Sequence, residues 1–248
     1  MAYRVDPDLE FFRELSSQEL EPLVHVLTYD KDNKKRITES ITSDSRYKLY
    51  SPDHKKYWDL IAEEIQRYGG NSLVNILRRG KGVLYKEILC DVSDKAKLNY
   101  NKKSTTEQIE LNLLQKILID AVEKMDESSI KKVVEELDIK TNTFTSQAVA
   151  AALQIALRNN IYLIGNYAYI IFNSIATQVL GRALLVTTNI VGARLLAVFT
   201  GPIGWALTGL WTAIDIAGPA FRVTTPAVVL VACLRQMQKQ KNEYSYQI

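Results

Sequence analysis

The chain has 248 residues, 47% of them apolar and 24% charged, with a formal net charge of +3. That balance excludes a disordered polyelectrolyte and a polytopic membrane protein, and it supplies no global field that would favour nucleic acid. The charge is unevenly laid out: residues 1–140 carry 24 Lys and Arg against 26 Asp and Glu, whereas residues 141–248 carry 7 against 2.

Helix signals dominate from the N-terminus. "MAYRVDPDLEFF" contains no apolar signal core, so export by a cleaved signal is not expected. Asp6 followed by Pro7 reads as an N-cap with a first-turn proline. Ser16 with Glu19 forms a capping-box pattern ahead of the apolar stripe Leu20, Leu23, Val24 and Leu27. "YDKDNKKR", residues 29–36, reads as a charged loop. Ser51 and Pro52 open a segment in which Trp58, Ile61, Ile65 and Tyr68 recur at helical spacing, with Gly69 expected to stop the helix at C′. A short helix is expected over 71–78, broken by Gly80 and Gly82. The next covers 83–97, with Val83, Leu84, Ile88 and Val92 as its apolar positions. Ser104 with Glu107 suggests a second capping box for a long helix to about Lys124, and Asp126 caps a further helix ending near Asp138.

After "KTNTFTSQ" the texture changes. "QAVAAALQIAL" (147–157) and the run 159–181 carry no charge, and residues 195–214 are uncharged again but broken by Gly201-Pro202. Pro219 and Pro226 bracket Arg222, and a last helix ends in "RQMQKQK". No strand-type alternation, solenoid repeat or low-complexity tract interrupts this pattern. Three regions are expected: a short N-terminal helical module (1–36), a charged amphipathic helical region (37–140) and an apolar helical region (141–248). The expected fold is all-α, a multi-helix bundle whose apolar C-terminal helices form a core wrapped by the amphipathic N-terminal ones. A spanning helix needs roughly 20 apolar residues. Residues 159–181 reach that length but include Asn159, Asn160, Asn166, Asn173 and Gln178, which are expensive in hydrocarbon; a bundle interior suits them better.

Two stretches, "YGGNSLVNILRRGKGVLYKEILCDV" (68–92) and "GPIGWALTG…GPAFRVTTPAVVLVACLRQM" (201–237), resemble the YaaW-like family of uncharacterised bacterial proteins. The opening "MAYRVDPDLEFFRELSSQELEPLVHVLTYDKD" is similar to a short N-terminal module found in some members. The middle region is similar to ubiquinol-cytochrome c chaperones. These resemblances imply an all-helical fold and an assembly-factor ancestry, and no activity.

Candidate chemistry is sparse. The two histidines, His25 and His54, have no second ligand at metal spacing, so each reads as a helix-surface residue and no metal is expected. "RRGKG" offers Arg78, Arg79 and Lys81 as a weak anion contact, but it lacks the spacing and preceding strand of a phosphate loop. The neighbouring acids Glu63-Glu64 and Glu135-Glu136 point about 100° apart on a helix and read as solvated faces. Asp215 is the one acid between Asp138 and Glu243, and it is expected to pair with Arg222, because an isolated buried carboxylate is costly. Trp205 and Trp211, with the basic end Arg235 and Lys239, are candidates for contact with a membrane or partner. Cys90 and Cys233 read as reduced, small buried residues. The expectation is therefore a non-enzymatic binding protein without a cofactor, contacting a protein partner or an anionic membrane surface through its apolar C-terminal helices. It would be cytoplasmic or peripheral to the inner membrane, and able to self-associate; a chaperone or assembly factor is the alternative, and an enzyme without a recognisable motif the third reading.

Overall fold

A computed structural model describes residues 3–30, 32–37, 39–70, 82–136, 139–159, 161–181, 184 and 220–245. The described residues are organised by α-helices, with one isolated antiparallel bridge between Tyr29 and Lys35 and no β-strand among them. The all-α expectation holds. The chain divides into two compact units, Met1–Ile109 with Trp211–Val231 and Glu110–Leu210 with Ala232–Ile248.

In the first unit a 3₁₀ helix, Glu10–Glu14, leads into α1, Ser17–Thr28. Ser16 Oγ accepts from the Glu19 backbone N–H and the Glu19 carboxylate accepts from the Ser16 N–H at 2.9 Å, so both orphan donors are met and the capping box is present. Leu20, Leu23, Val24 and Leu27 face inward. The charged loop that follows closes on Asp30, whose Oδ1 accepts from the N–H groups of Asp32 and Lys34. Asn33 takes the left-handed conformation there, with φ 60°.

Helices α2 (Ser45–Tyr50) and α3 (Trp58–Gly70) flank a 3₁₀ helix, His54–Tyr57. Two expectations need correction in this region. Gly69 lies inside α3 rather than after it. A Cβ at Gly69 would come within 2.4 Å of Ile88 Cδ1, so the glycine serves close approach between helices. Glu64 is fully buried instead of solvated: it accepts from the Ser40 N–H and hydroxyl and from Arg67 Nη2 at 2.6 Å. The inward face of α3 is wide enough, from Leu60 and Ile61 through Ile65 to Tyr68, to enclose position 64.

Helix α4 (Tyr85–Lys95) buries Tyr85, Ile88, Leu89 and Val92. Helix α5 (Thr106–Glu123) begins one residue later than its sequence cue, since Thr105 Oγ1 accepts from the Gln108 N–H. Helix α6 (Glu127–Glu136) starts at the expected cap, Asp126, whose Oδ1 accepts from the Ser129 N–H.

In the second unit α7 (Ser146–Asn159) is followed by α8 (Ile161–Leu180). From Gly165 to Ala176 every residue of α8 is buried except Asn166 and Asn173, which are half-buried. The central part of the uncharged run, Gly165 to Ala176, is thus interior, and no helix among the described residues is long and apolar enough to cross a membrane. The last helix, α9 (Phe221–Ser245), continues through Pro226, with Val228 to Leu234 buried throughout.

Candidate binding surface

Two features of the second unit carry chemistry: a buried polar seam and an exposed face without charge. The seam begins at Glu110, which the sequence reading missed. Its side chain has no solvent exposure and is held by Arg235 through Nε to Oε2 at 2.6 Å and Nη2 to Oε1 at 3.3 Å. Fork-to-carboxylate geometry of this kind offsets the cost of burying both charges. One signal for it was present in the sequence. Glu110 is in helical register with Leu114, Ile117 and Ala121, all buried, so it occupies an apolar stripe.

Arg235, expected at a basic contact surface, is committed to this pair, with only 14% of its side chain exposed. Lys239, one turn on, is exposed. Along the same helix Gln236 and Gln240 are buried; Gln240 Nε2 donates to Asn166 Oδ1 at 2.9 Å, joining α9 to α8. Gln236 Nε2 and Gln240 Oε1 have no hydrogen-bond partner. Cys233 is fully buried in the same helix; burial pushes its thiol well above the usual range, and the charge of Glu110 adds to the rise.

The exposed face belongs to α7. Its inner side buries Val149, Ala150, Leu153 and Leu157, while Gln147, Ala151, Gln154 and Ile155 face solvent and Ala148, Ala152 and Ala156 are half-covered. Phe144, just before the helix, is 42% exposed and Ile155 61%. No charged residue occurs from Thr141 to Leu157. Helix α6 presents Lys131, Lys132 and Glu135 to water in the usual manner.

The remaining sequence candidates are placed as follows. Arg222 is exposed near the start of α9. Arg78, Arg79, Lys81, Trp205, Trp211 and Asp215 lie outside the described residues, as does the expected Asp215–Arg222 pair. The histidines are less exposed than their helix-surface reading held. His54 is buried with Nδ1 against the Tyr57 hydroxyl. His25 is half-buried, stacks on Tyr29 at 4.9 Å and meets Asn33 Oδ1 through Nε2. Burial lowers the affinity of both imidazoles for a proton. No group of metal-ligating side chains occurs among the described residues.

Helix upon helix, with polar groups enclosed as pairs, defines a multi-helix all-α protein. Comparison with known proteins places it further. A model described as a domain of unknown function, DUF3944, matches residues 3–37. A UPF0174 protein of Helicobacter pylori strain J99 is 48% identical over 244 residues, spanning 98% of this chain and 96% of that protein. A UPF0174 protein of H. pylori strain 26695 is 42% identical over 83% of this chain and 100% of its own. The UPF0174 protein YaaW of Escherichia coli K12 is 33% identical over 95% of this chain and 96% of its own. The chain belongs to the UPF0174 family, and the YaaW-like resemblance read from its sequence holds. No solved structure matches it.

Proposed function

We propose that this protein is a non-enzymatic binding protein that engages a helical protein partner through its apolar C-terminal helices, with α7 as the contact helix. The observation that carries the reading is the α7 outer face: alanine methyls, two amides and Ile155, exposed and without charge. Small side chains let a second helix approach closely, and a face without ionic groups loses little when water leaves it. A helix that lies in a lipid interface carries Lys or Arg on its polar side and bulky apolar residues on the other. The outer face of α7 from Gln147 to Ile155 carries no Lys or Arg, and Ile155 is its one bulky apolar side chain, so a protein partner is favoured over lipid. An assembly-factor role would be one form of this, in keeping with the chaperone resemblance of residues 37–140. Contact with an anionic membrane surface is the second reading, favoured by the exposed Lys239 near the basic end of α9. Either would operate in the cytoplasm or at the inner face of the membrane.

A photo-crosslinking residue at position 151 tests the first reading in native cells. The expected result is one discrete protein adduct, lost in Ile155→Glu. That substitution should shift stability by no more than about 0.5 kcal/mol, because it lies on an exposed face. Absence of an adduct, together with flotation of the wild type on anionic liposomes, would turn the conclusion to the membrane.

A further inference from the structure

The first six described residues make no regular structure, yet they are held by an ordered set of polar contacts. Arg4 pairs its backbone with the carboxamide of Gln66 in both directions: its N–H donates to Oε1 at 3.1 Å and its carbonyl accepts from Nε2 at 2.8 Å. Gln66 is 2% exposed, so this pairing is enclosed. Asp6, 1% exposed, accepts from the Tyr85 N–H at 2.7 Å. Tyr85 opens α4, and the N-cap residue of that helix, Leu84, makes no side-chain cap of its own. Asp8 accepts from the hydroxyl of Thr106, the first residue of α5, at 2.7 Å. Of the side chains of this arm, Val5 is 72% exposed and the half-buried Tyr3 meets the Trp58 ring edge-on at 5.8 Å. Fully enclosed apolar anchoring starts only afterwards, at Leu9, Phe12 and Leu15, all without exposure.

We propose that residues 3–8 are a releasable strap: they cap α4 from 79 positions away in the chain, and they can let go while the module from Leu9 onward stays docked. The division follows from the kind of contact on each side of Leu9. Polar contacts exchange with water at modest net cost, whereas three fully enclosed apolar side chains do not. Asp6 places a negative charge at the positive end of the α4 dipole and accepts the N–H of its first residue, Tyr85. Release therefore frays the first turn of α4 and leaves α1 and α3 as they are. The DUF3944-like module thus controls a helix that lies outside its own matched residues, 3–37. Anything that takes hold of the arm is transmitted to α4.

Amide hydrogen exchange on the full chain tests this. Asp6→Ala should speed exchange about tenfold at Tyr85, Glu87 and Ile88, the size of a lost N-cap. The amides of Val24 to Thr28 in α1 should keep their rates. Gln66→Ala removes both Arg4 bonds and a long 3.4 Å donation to Asp6 Oδ2 while leaving the capping carboxylate itself in place, and it should speed exchange at Arg4, Asp6 and the same three α4 amides. Should Asp6→Ala fail to fold, Asp6→Asn keeps an acceptor at that site and should give a smaller rise at the same amides. Unchanged α4 rates in Gln66→Ala, or an equal rise throughout α1, α3 and α4 in either variant, would overturn the proposal.

Discussion

In the first unit the buried acids Asp6 and Glu64 rest on backbone N–H groups and a serine hydroxyl, with Arg67 beside the second. In the second unit the buried acid Glu110 rests on a guanidinium. Two of these four donors in the first unit are main-chain N–H groups, fixed by the helix or turn they belong to, so the acids act as fasteners for chain segments. In the second unit both partners are side chains carried by helices 125 positions apart, and each is the other's compensation. Removing one partner should therefore have different consequences in the two places.

The largest effect is expected at the ion pair. Arg235→Met leaves Glu110 charged and enclosed and should cost about 3–5 kcal/mol in urea unfolding, whereas Glu110→Leu with Arg235→Met should recover most of that loss. Arg235→Lys should fall between them, since an ammonium keeps the charge and loses the fork. A cost under about 1 kcal/mol for Arg235→Met would erase the contrast. Next, Glu64→Ala strands the Ser40 donors and should cost about 1–3 kcal/mol by the same measurement. Ser16→Ala removes the capping box at the solvent edge of α1 and should cost about 1 kcal/mol.

The smallest effect is a pH dependence confined to the first unit. Burial holds His25 and His54 below their ordinary protonation range; the nearby acids Glu21 and, for His54, Asp53 oppose this but do not reverse it. The unfolded chain then binds a proton more readily than the folded one. The stabilisation is present above an ordinary histidine pKa of about 6.5 and is lost as pH falls through the lower folded values. Urea midpoints at pH 7.5 and 5.5 should show this drop, and His54→Gln should flatten it.

What the sequence made legible was local. Ser16 and Glu19, or Asp126 and Ser129, are three positions apart, and their spacing is itself the geometry. The stripe of α1 and the interior character of α8 follow from period and composition in the same manner. Asp6 was read as the cap of the helix that follows it, while its main acceptor duty is to α4, and no spacing rule reaches that far. Gly69 carries the same lesson: the reason for the missing side chain is Ile88 on another helix. Arg235 looked like part of a solvated basic end because its partner sits early in α5. The α7 face was visible as an uncharged run, but only coordinates separate its inner side from its outer one.

The enclosed sulfur of α9 gives the second unit a built-in chronometer. Cys233 has no solvent exposure, and its environment disfavours the thiolate that alkylating and disulfide reagents attack. The half-exposed Cys90 of the first unit serves as an internal reference in the same tube. In native solution, labelling at Cys233 therefore waits on opening of the helices around it. Its rate, normalised to Cys90, would time how often that interior breathes, with no cysteine introduced by mutation.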